Sequence, residues 1–520
     1  MSTVTSKTIL DNLWIGASTL GSSVLAILGY GFAVSILGES QAGIVGVMLG
    51  VMTMGAAVGS FGINLALVRE ASKGPLGNCA MSAEIGVASI VAIIVGLLCL
   101  AVMVFAGPTL LTMVKYQGDQ VDAESYSLLV GAAVLFTQLS GVGRALNQSQ
   151  CDFRTSSVID LVASFLQSAG TIIMVYYYRN LTAIGIITFL VAGVQFTAYW
   201  FFLRRKWGLS IRPVWSHSAF LRLWRFGRWP YWGSIFAILG DSFDKILVGG
   251  LFGSVSVPAY SMAKSFYSQS HALLASQAYS LFPRLAATGR VLGIEQETKL
   301  ISFVSLISGW IYLSIFLVGP VLAAISAGGA FADKVSYGLG VFCLMGWANS
   351  LCLIVYFSKL ATGYSKLVMI MNAFSGPGTL LAMWLLGELG GLRFAIAGQV
   401  VMLGGVFWLL SLDESNRSVW KCLVQRLRAA APTGLYAAFW ASLIVWFRNW
   451  ESYFSGFSIA FAVVFLLIYI PLAIQLSRRL PGGGALRDTM LAVVVVLPIT
   501  TRATAFLRVL LGLNLTESPS

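Results

Sequence analysis

Apolar runs long enough to cross a lipid bilayer recur along almost the whole chain. They fall at 11–36, 41–66, 84–106, 122–147, 155–178, 182–203, 228–252, 256–281, 299–325, 335–357, 366–387, 390–411, 431–447 and 455–477. Each is near the roughly 20 residues that a helix rising 1.5 Å per residue needs to span hydrocarbon. The pattern predicts an all-α polytopic membrane protein with about 14 transmembrane helices. Composition agrees: 58% of the 520 residues are hydrophobic and 10% are charged, with a mean hydropathy of +0.84. The first run is too long for the apolar region of a cleaved signal and has no small-residue cleavage site, so it is expected to stay as a span.

Positive charges orient these spans. With a cytoplasmic N-terminus, 24 of the 33 Lys and Arg residues fall in inner segments and 5 in outer ones. Lys245 and Lys264 fall inside spans, and Arg502 and Arg508 in the C-terminal tail. This alternation is what the positive-inside rule requires, and it predicts N- and C-termini that are both cytoplasmic. The net charge of +13 is thereby a matter of topology rather than of nucleic acid. Met490–Ile499 is apolar but short and meets Pro498, so the tail reads as interfacial or cytoplasmic.

The longest loop, 204–227, is basic and divides the chain. Within it Ser218–Trp229 alternates apolar and cationic residues at helical spacing. That predicts an amphipathic helix on the inner leaflet, anchored by Trp224 and Trp229, or a recruitment surface for a partner. On either side lie matching tetrapeptides, Ala26-Ile27-Leu28-Gly29 and Ala237-Ile238-Leu239-Gly240. Both sit in the first helix of a six-helix unit, and six is even, so the units share one orientation. The expected organisation is two pseudo-symmetric six-helix lobes plus an extra C-terminal pair. Residues 1–206 form the first lobe, 207–227 a basic linker and 228–412 the second lobe. Helices 13 and 14 occupy 413–480, and 481–520 form the tail.

Catalytic and cofactor motifs are absent. No phosphate-binding glycine loop opens a helix and no metal-ligand spacing occurs, so no cofactor and no metal are expected. The two histidines, His217 and His271, have no ligand-spaced partners. Asp119, Asp122 and Glu124 in the outer loop 115–126 read as a solvated acidic loop rather than a catalytic pair.

Ionisable residues inside spans are more informative, because each costs roughly 2.5–3.5 kcal/mol at a helix centre. Asp241, Asp244 and Lys245 lie in the seventh apolar run and Lys264 in the eighth. Counted from the shared outer turn, Asp244 and Lys264 reach a common depth. Asp241 and Lys245 are four apart, acid first. Two readings stand: a self-paired quartet that fixes two helices, or a cavity lining in which Lys245 or Lys264 meets an anionic substrate. Asp160 and Arg144, near inner helix ends, read as interface residues, with Arg144 also able to meet a phosphate. Gln138, Gln167, Gln195, Gln277, Asn349, Asn372 and Gln399 read as interhelical hydrogen bonds. Gly376-Pro377-Gly378 is expected to break the eleventh span as a hinge.

Several stretches resemble the polysaccharide-transporter branch of the multidrug/oligosaccharidyl-lipid/polysaccharide exporter superfamily, which includes Wzx-like oligosaccharide flippases. They are Gly62-Ile-Asn-Leu-Ala-Leu-Val-Arg69-Glu70, Arg144-Ala-Leu-Asn-Gln-Ser-Gln-Cys-Asp-Phe-Arg154 with Asp160 beyond it, Asp244-Lys245 through Gly253 with Tyr260 and Ala263, and Leu281-Phe-Pro283-Arg-Leu. The resemblance covers about residues 7–480. It implies two six-helix lobes around a central cavity. It also implies flipping of undecaprenyl-pyrophosphate-linked oligosaccharide from the inner to the outer leaflet of a bacterial inner membrane, for surface or exopolysaccharide synthesis. Lys245, Lys264 and Arg144 would meet the pyrophosphate, and Asp241, Asp244 or Asp160 would carry a coupling proton or sodium ion or pair structurally. A glycan polymerase and export complex would be the partners, and no enzymatic activity is implied. The alternatives are a small-molecule cation antiporter of the same superfamily, a membrane-bound glycan polymerase, and a scaffold.

Overall fold

The computed structural model describes residues 2–59, 62–72, 79–116, 118–150, 152–208, 213–279, 293–411, 419–448 and 469. Among these residues the secondary structure is helical, without strands. The part expected to be the first lobe contains α1 (Ser2–Leu37), α2 (Glu39–Gly59), α3 (Ile63–Ala71), α4 (Cys79–Met113), α5 (Gln120–Ser149), α6 (Phe153–Tyr178) and α7 (Leu181–Trp207). The second contains α8 (His217–Asp241), α9 (Phe243–Phe252), α10 (Val257–Tyr279), α11 (Ile294–Ala327), α12 (Gly329–Ser350), α13 (Leu353–Thr362), α14 (Ser365–Gly398) and α15 (Leu403–Ser411). The last described helix, α16 (Val419–Arg448), packs against α11.

Six of these helices are long and apolar enough to cross a membrane, or seven when the bent pair Gly329–Ser350 and Leu353–Ala361 counts as one span. Phe105, Leu98, Ile173 and Phe201 are each more than half exposed. Side chains of that size face lipid at no cost but would face water at one. The chain is therefore a multi-pass membrane protein. The span expected over 455–477 lies outside the described residues apart from Tyr469, as does the tail from 481.

Helix contacts repeat from one lobe to the other. In the first lobe α1 packs on α6, α4 on α5, and α7 on both α5 and α6. In the second, α8 packs on α14, α11 on α12, and α15 on both α12 and α14. The same pattern of pairings thus occurs on both sides of the basic segment. Local chemistry fixes the helix starts. Asp119 accepts from the Val121 and Asp122 amides and caps α5. Asp122 reaches across to the amides of Leu181 and Thr182 at the start of α7, at 2.6 and 2.8 Å. Carboxylates at helix N-termini satisfy orphan donors and oppose the dipole, so this acidic loop ties elements together.

Three expectations change. The basic segment after residue 216 is not a separate surface helix but the first half of α8, continuous to Asp241. Its apolar face, with Ala219, Leu223 and Phe226 buried, packs on α3 and α4 of the first lobe. Periodicity marked the apolar face correctly but could not say whether lipid or protein would cover it. The second run is interrupted before α3 by Gly62, at φ +66. A Cβ there would strike the Gly227 carbonyl of α8, so the position needs glycine for conformation and for contact.

Gly376-Pro377-Gly378 does not break its helix. Helical dihedrals run through it, and the non-helical pair is Gly390–Gly391, with Gly391 at φ +74. That pair makes the turn between the eleventh and twelfth runs. Gly376 instead lets α14 touch α8: a Cβ there would run into the Phe236 carbonyl oxygen. Small residues permit such close approach between membrane helices.

Candidate functional site

The helical break at Ser242 (φ −129, ψ −34) separates α8 from α9. It takes Asp241 and Lys245 off a common helix, so they are not an i,i+4 pair. Lys264 of α10 takes the central position instead. Its ammonium donates to Asp244 and to the Gly240 carbonyl at 3.1 Å, and lies 3.7 Å from Asp241. Asp244 Oδ2 also accepts from the Tyr260 hydroxyl and from Gln399 Nε2, the latter at 3.0 Å. Lys264 and Asp244 are 3% and 0% exposed, whereas the Asp241 side chain is 43% exposed. The innermost pair is sealed and its lysine fully engaged, and Asp241 is the accessible acid. Lys245 forms no ion pair among the described residues, and its methylene stem lies against Gly50 of α2.

The first lobe holds a second cluster of the same chemistry. Arg144 of α5 pairs with Asp160 of α6 at 2.7 Å, and its Nε donates to Tyr199 Oη at 3.3 Å. Tyr199 Oη and Gln195 Nε2, both on α7, donate to Asp160 Oδ1 at 2.8 and 2.9 Å. Each cluster thus sets an aspartate among a cation, a tyrosine and a glutamine, Gln195 from α7 and Gln399 from the short 3-10 turn Gln399–Met402 between α14 and α15. The two differ in access. The Arg144 side chain is 43% exposed and lines a cavity of about 530 Å³ between the lobes. Asn64, Gln148, Ser234 and Tyr356 line it too. A guanidinium has five donors, and two partners leave Arg144 with donors to spare.

That cavity lies toward the face carrying the basic segments. On the same face Arg222 of α8 pairs with Glu84 of α4 at 3.1 Å, and Arg69 sits 4.3 Å over the Phe226 ring. On the opposite face Lys334 of α12 binds both carboxylate oxygens of Glu39, at 2.6 and 2.9 Å, and Ser40 meets Ser254 at 3.1 Å. The lobes are therefore bridged at both faces, with the Arg144 cavity between them.

Sequence reasoning found both aspartates and both cations but assigned Arg144 and Asp160 separately. It placed Gln195 and Gln399 in interhelical hydrogen bonds, as found, without naming their partners, and it assigned no hydrogen-bonding role to Tyr199 or Tyr260. The two glutamines were visible as polar residues in apolar runs, yet their partners lie 35 and 155 positions away, beyond any local spacing rule.

The family model described as "Polysaccharide biosynthesis protein" matches residues 35–334. The fold is similar to that of the lipid II flippase MurJ in an inward closed conformation, at TM-score 0.66 and 12% identity over 89% of this chain and 99% of that one. It is similar to an inward-facing multidrug resistance MATE family transporter of the MOP superfamily, at TM-score 0.61 and 16% identity over 79% and 95% of the two chains. The Vibrio cholerae MATE transporter VcmN gives TM-score 0.59 and 14% identity over 82% and 98%. No curated protein sequence matches.

Proposed function

The chain belongs to the polysaccharide biosynthesis protein family, and from that premise we propose that it moves an undecaprenyl-pyrophosphate-linked oligosaccharide from the inner to the outer leaflet of a bacterial inner membrane. The observation that carries this reading is Arg144: a charged, accessible guanidinium on the wall of an inter-lobe cavity at the basic face. A pyrophosphate carries pairs of anionic oxygens on each tetrahedral phosphorus, and a planar guanidinium binds such a pair by paired, charge-assisted hydrogen bonds. Lys245, which forms no ion pair among the described residues, is the second candidate cation. Lys264 holds Asp244 and α8 in place and acts on the substrate only through that framework. The accessible Asp241 is the carboxylate best disposed to take a coupling proton or sodium ion.

Fourteen spans with both termini cytoplasmic fit the contacts between connecting segments. Glu39 with Lys334, Ser40 with Ser254 and Asp122 with Thr182 each join segments assigned outside, whereas Arg222 with Glu84 and Lys206 with Asp152 join segments assigned inside. Two six-helix lobes rocking about a cavity then provide alternating access. The family and the fold support a transporter rather than an enzyme, with surface or exopolysaccharide synthesis as the pathway served.

Equilibrium binding of undecaprenyl pyrophosphate to the full-length protein in nanodiscs tests the anion site. Arg144→Ala should weaken binding about tenfold or more, Lys245→Ala by less, and added salt should weaken wild type more than Arg144→Ala. Equal affinity of wild type and Arg144→Ala would remove the assignment.

A further inference from the structure

A cavity of about 300 Å³ lies among α1, α2, α5, α6 and α7 and shares no lining residue with the Arg144 cavity. Tyr30, Tyr126, Gln167, Thr171, Thr188 and Gln195 supply its polar wall, and no Asp, Glu, Lys or Arg lines it. Polar groups inside a membrane lobe are costly unless paired, and here the pairing is one-sided. Gln167 Nε2 donates to Thr188 Oγ1 at 3.0 Å and Thr171 Oγ1 at 3.3 Å. Gln195 Nε2 donates to Asp160 at 2.9 Å. Both amides commit N–H groups to the protein, and their carbonyl oxygens accept nothing among the described residues. The Tyr126 side chain is 1% exposed, yet its hydroxyl makes no hydrogen bond among the described residues.

This wall selects its ligand by elimination. A cation would need a carboxylate, and an anion would need Lys or Arg; the lining has neither. An alkyl chain filling the cavity would leave the two amide oxygens and the phenol unpaired. A neutral molecule rich in hydroxyl groups supplies donors for the two amide oxygens, a partner for Tyr126 and an aliphatic face for the tyrosine rings.

Position adds to the argument. Arg144 on the inter-lobe cavity and Gln195 on this one bind the same oxygen, Asp160 Oδ1. Helix α5 sends Thr137 into one cavity and Gly141 and Arg144 into the other. Thr137 and Arg144 are seven residues apart, about 10 Å along α5, so a substrate whose anionic group rests at Arg144 has this pocket within reach of its next atoms.

We infer that the first-lobe cavity is a saccharide subsite that reads the hydroxyl groups of the sugar joined to the pyrophosphate. The inference rests on the transport reading above and adds the source of sugar selectivity. The volume is at the small end of ligand sites, roughly 300–1,000 Å³, which suits a single sugar residue rather than a whole repeat. A site built to hydrogen-bond a hydroxyl discriminates strongly against a ligand lacking it.

The test compares two lipids on the full-length protein in nanodiscs: undecaprenyl pyrophosphate, and the lipid-linked oligosaccharide extracted from the source cell. Gln167→Leu and Thr188→Val remove polar wall groups, and Ala163→Leu fills the cavity without touching them. Each should weaken the sugar-bearing lipid about tenfold and leave undecaprenyl pyrophosphate within about twofold. Equal weakening of both lipids, or of neither, overturns the subsite. Wild-type protein that binds neither lipid overturns the transport reading itself. Wild-type protein that binds both with one affinity overturns the subsite alone.

Discussion

Asp244 and Lys264 show how a membrane protein keeps charge in its interior. Removing one member of a sealed ion pair leaves the other unpaired, at a cost of about 3–5 kcal/mol, whereas replacing both by apolar residues of similar volume is far milder. Lys264→Met and Asp244→Leu should each lower the thermal unfolding midpoint in detergent sharply, and the double variant should recover much of the loss. Additive losses would mean that the two side chains act independently. The depth of this pair was legible in the sequence, because helix rise is fixed and both residues could be counted from one turn. The break at Ser242 was not, since it involves neither proline nor a glycine with left-handed dihedrals. That is why Lys245 was first matched with Asp241. Gln399 was legible as an interhelical hydrogen-bonding residue but its partner was not, because it reaches Asp244 from 155 residues away.

Among the elements, α8 and α14 carry the tightest constraint. Their backbones meet at Gly240 and Gly376, where a Cβ on Gly240 would lie 3.2 Å from the Gly376 Cα and one on Gly376 would strike Phe236. Two residues on, the nearest neighbour of a Cβ at Gly378 is a Val401 methyl at 3.6 Å, an ordinary contact. Gly376→Ala should therefore destabilise by about 1–3 kcal/mol through overpacking, while Gly378→Ala should be neutral or slightly stabilising, as helical Gly→Ala commonly is. Thermal unfolding of the two variants separates these outcomes; equal effects would point to a hinge shared by the whole Gly-Pro-Gly segment. The sequence drew notice to this segment for its proline, yet the glycine that matters serves packing. The amphipathic half of α8 teaches a related lesson. Its apolar face was plain from the spacing, but a groove in the neighbouring lobe and a lipid surface offer the same solvent to that face.

For the molecule as a whole, the described contacts bridge the lobes on both faces around the Arg144 cavity. On the face away from the basic segments, the Glu39–Lys334 pair joins residues 295 positions apart. The pair is partly exposed, Lys334 at 53% and Glu39 at 29%, so it contributes on the order of 0.2–1 kcal/mol. Glu39→Gln should raise the share of molecules opened on that face by up to about fivefold. Distances between spin labels at Tyr177 and Tyr337, exposed residues on α6 and α12, should then shift toward longer values. An unchanged distribution would show that the pair does not restrain opening.

Counting apolar runs and basic segments was enough to describe the helical, multi-pass architecture, because hydrocarbon thickness and topology act on every span alike. The second charge cluster was hidden for the opposite reason. Arg144 and Asp160 sit near helix ends, where a charge is ordinary, and only packing joins them into one cluster beside the inter-lobe cavity.

The most direct measurement is translocation itself, in proteoliposomes loaded with lipid-linked oligosaccharide from the source cell and scored by the fraction reaching the opposite leaflet. Wild-type protein should move the lipid well above the protein-free rate, and Arg144→Ala should fall to near that background while remaining folded and inserted. Transport by Arg144→Ala at the wild-type rate, or a wild-type rate no higher than that of protein-free liposomes, would contradict the account.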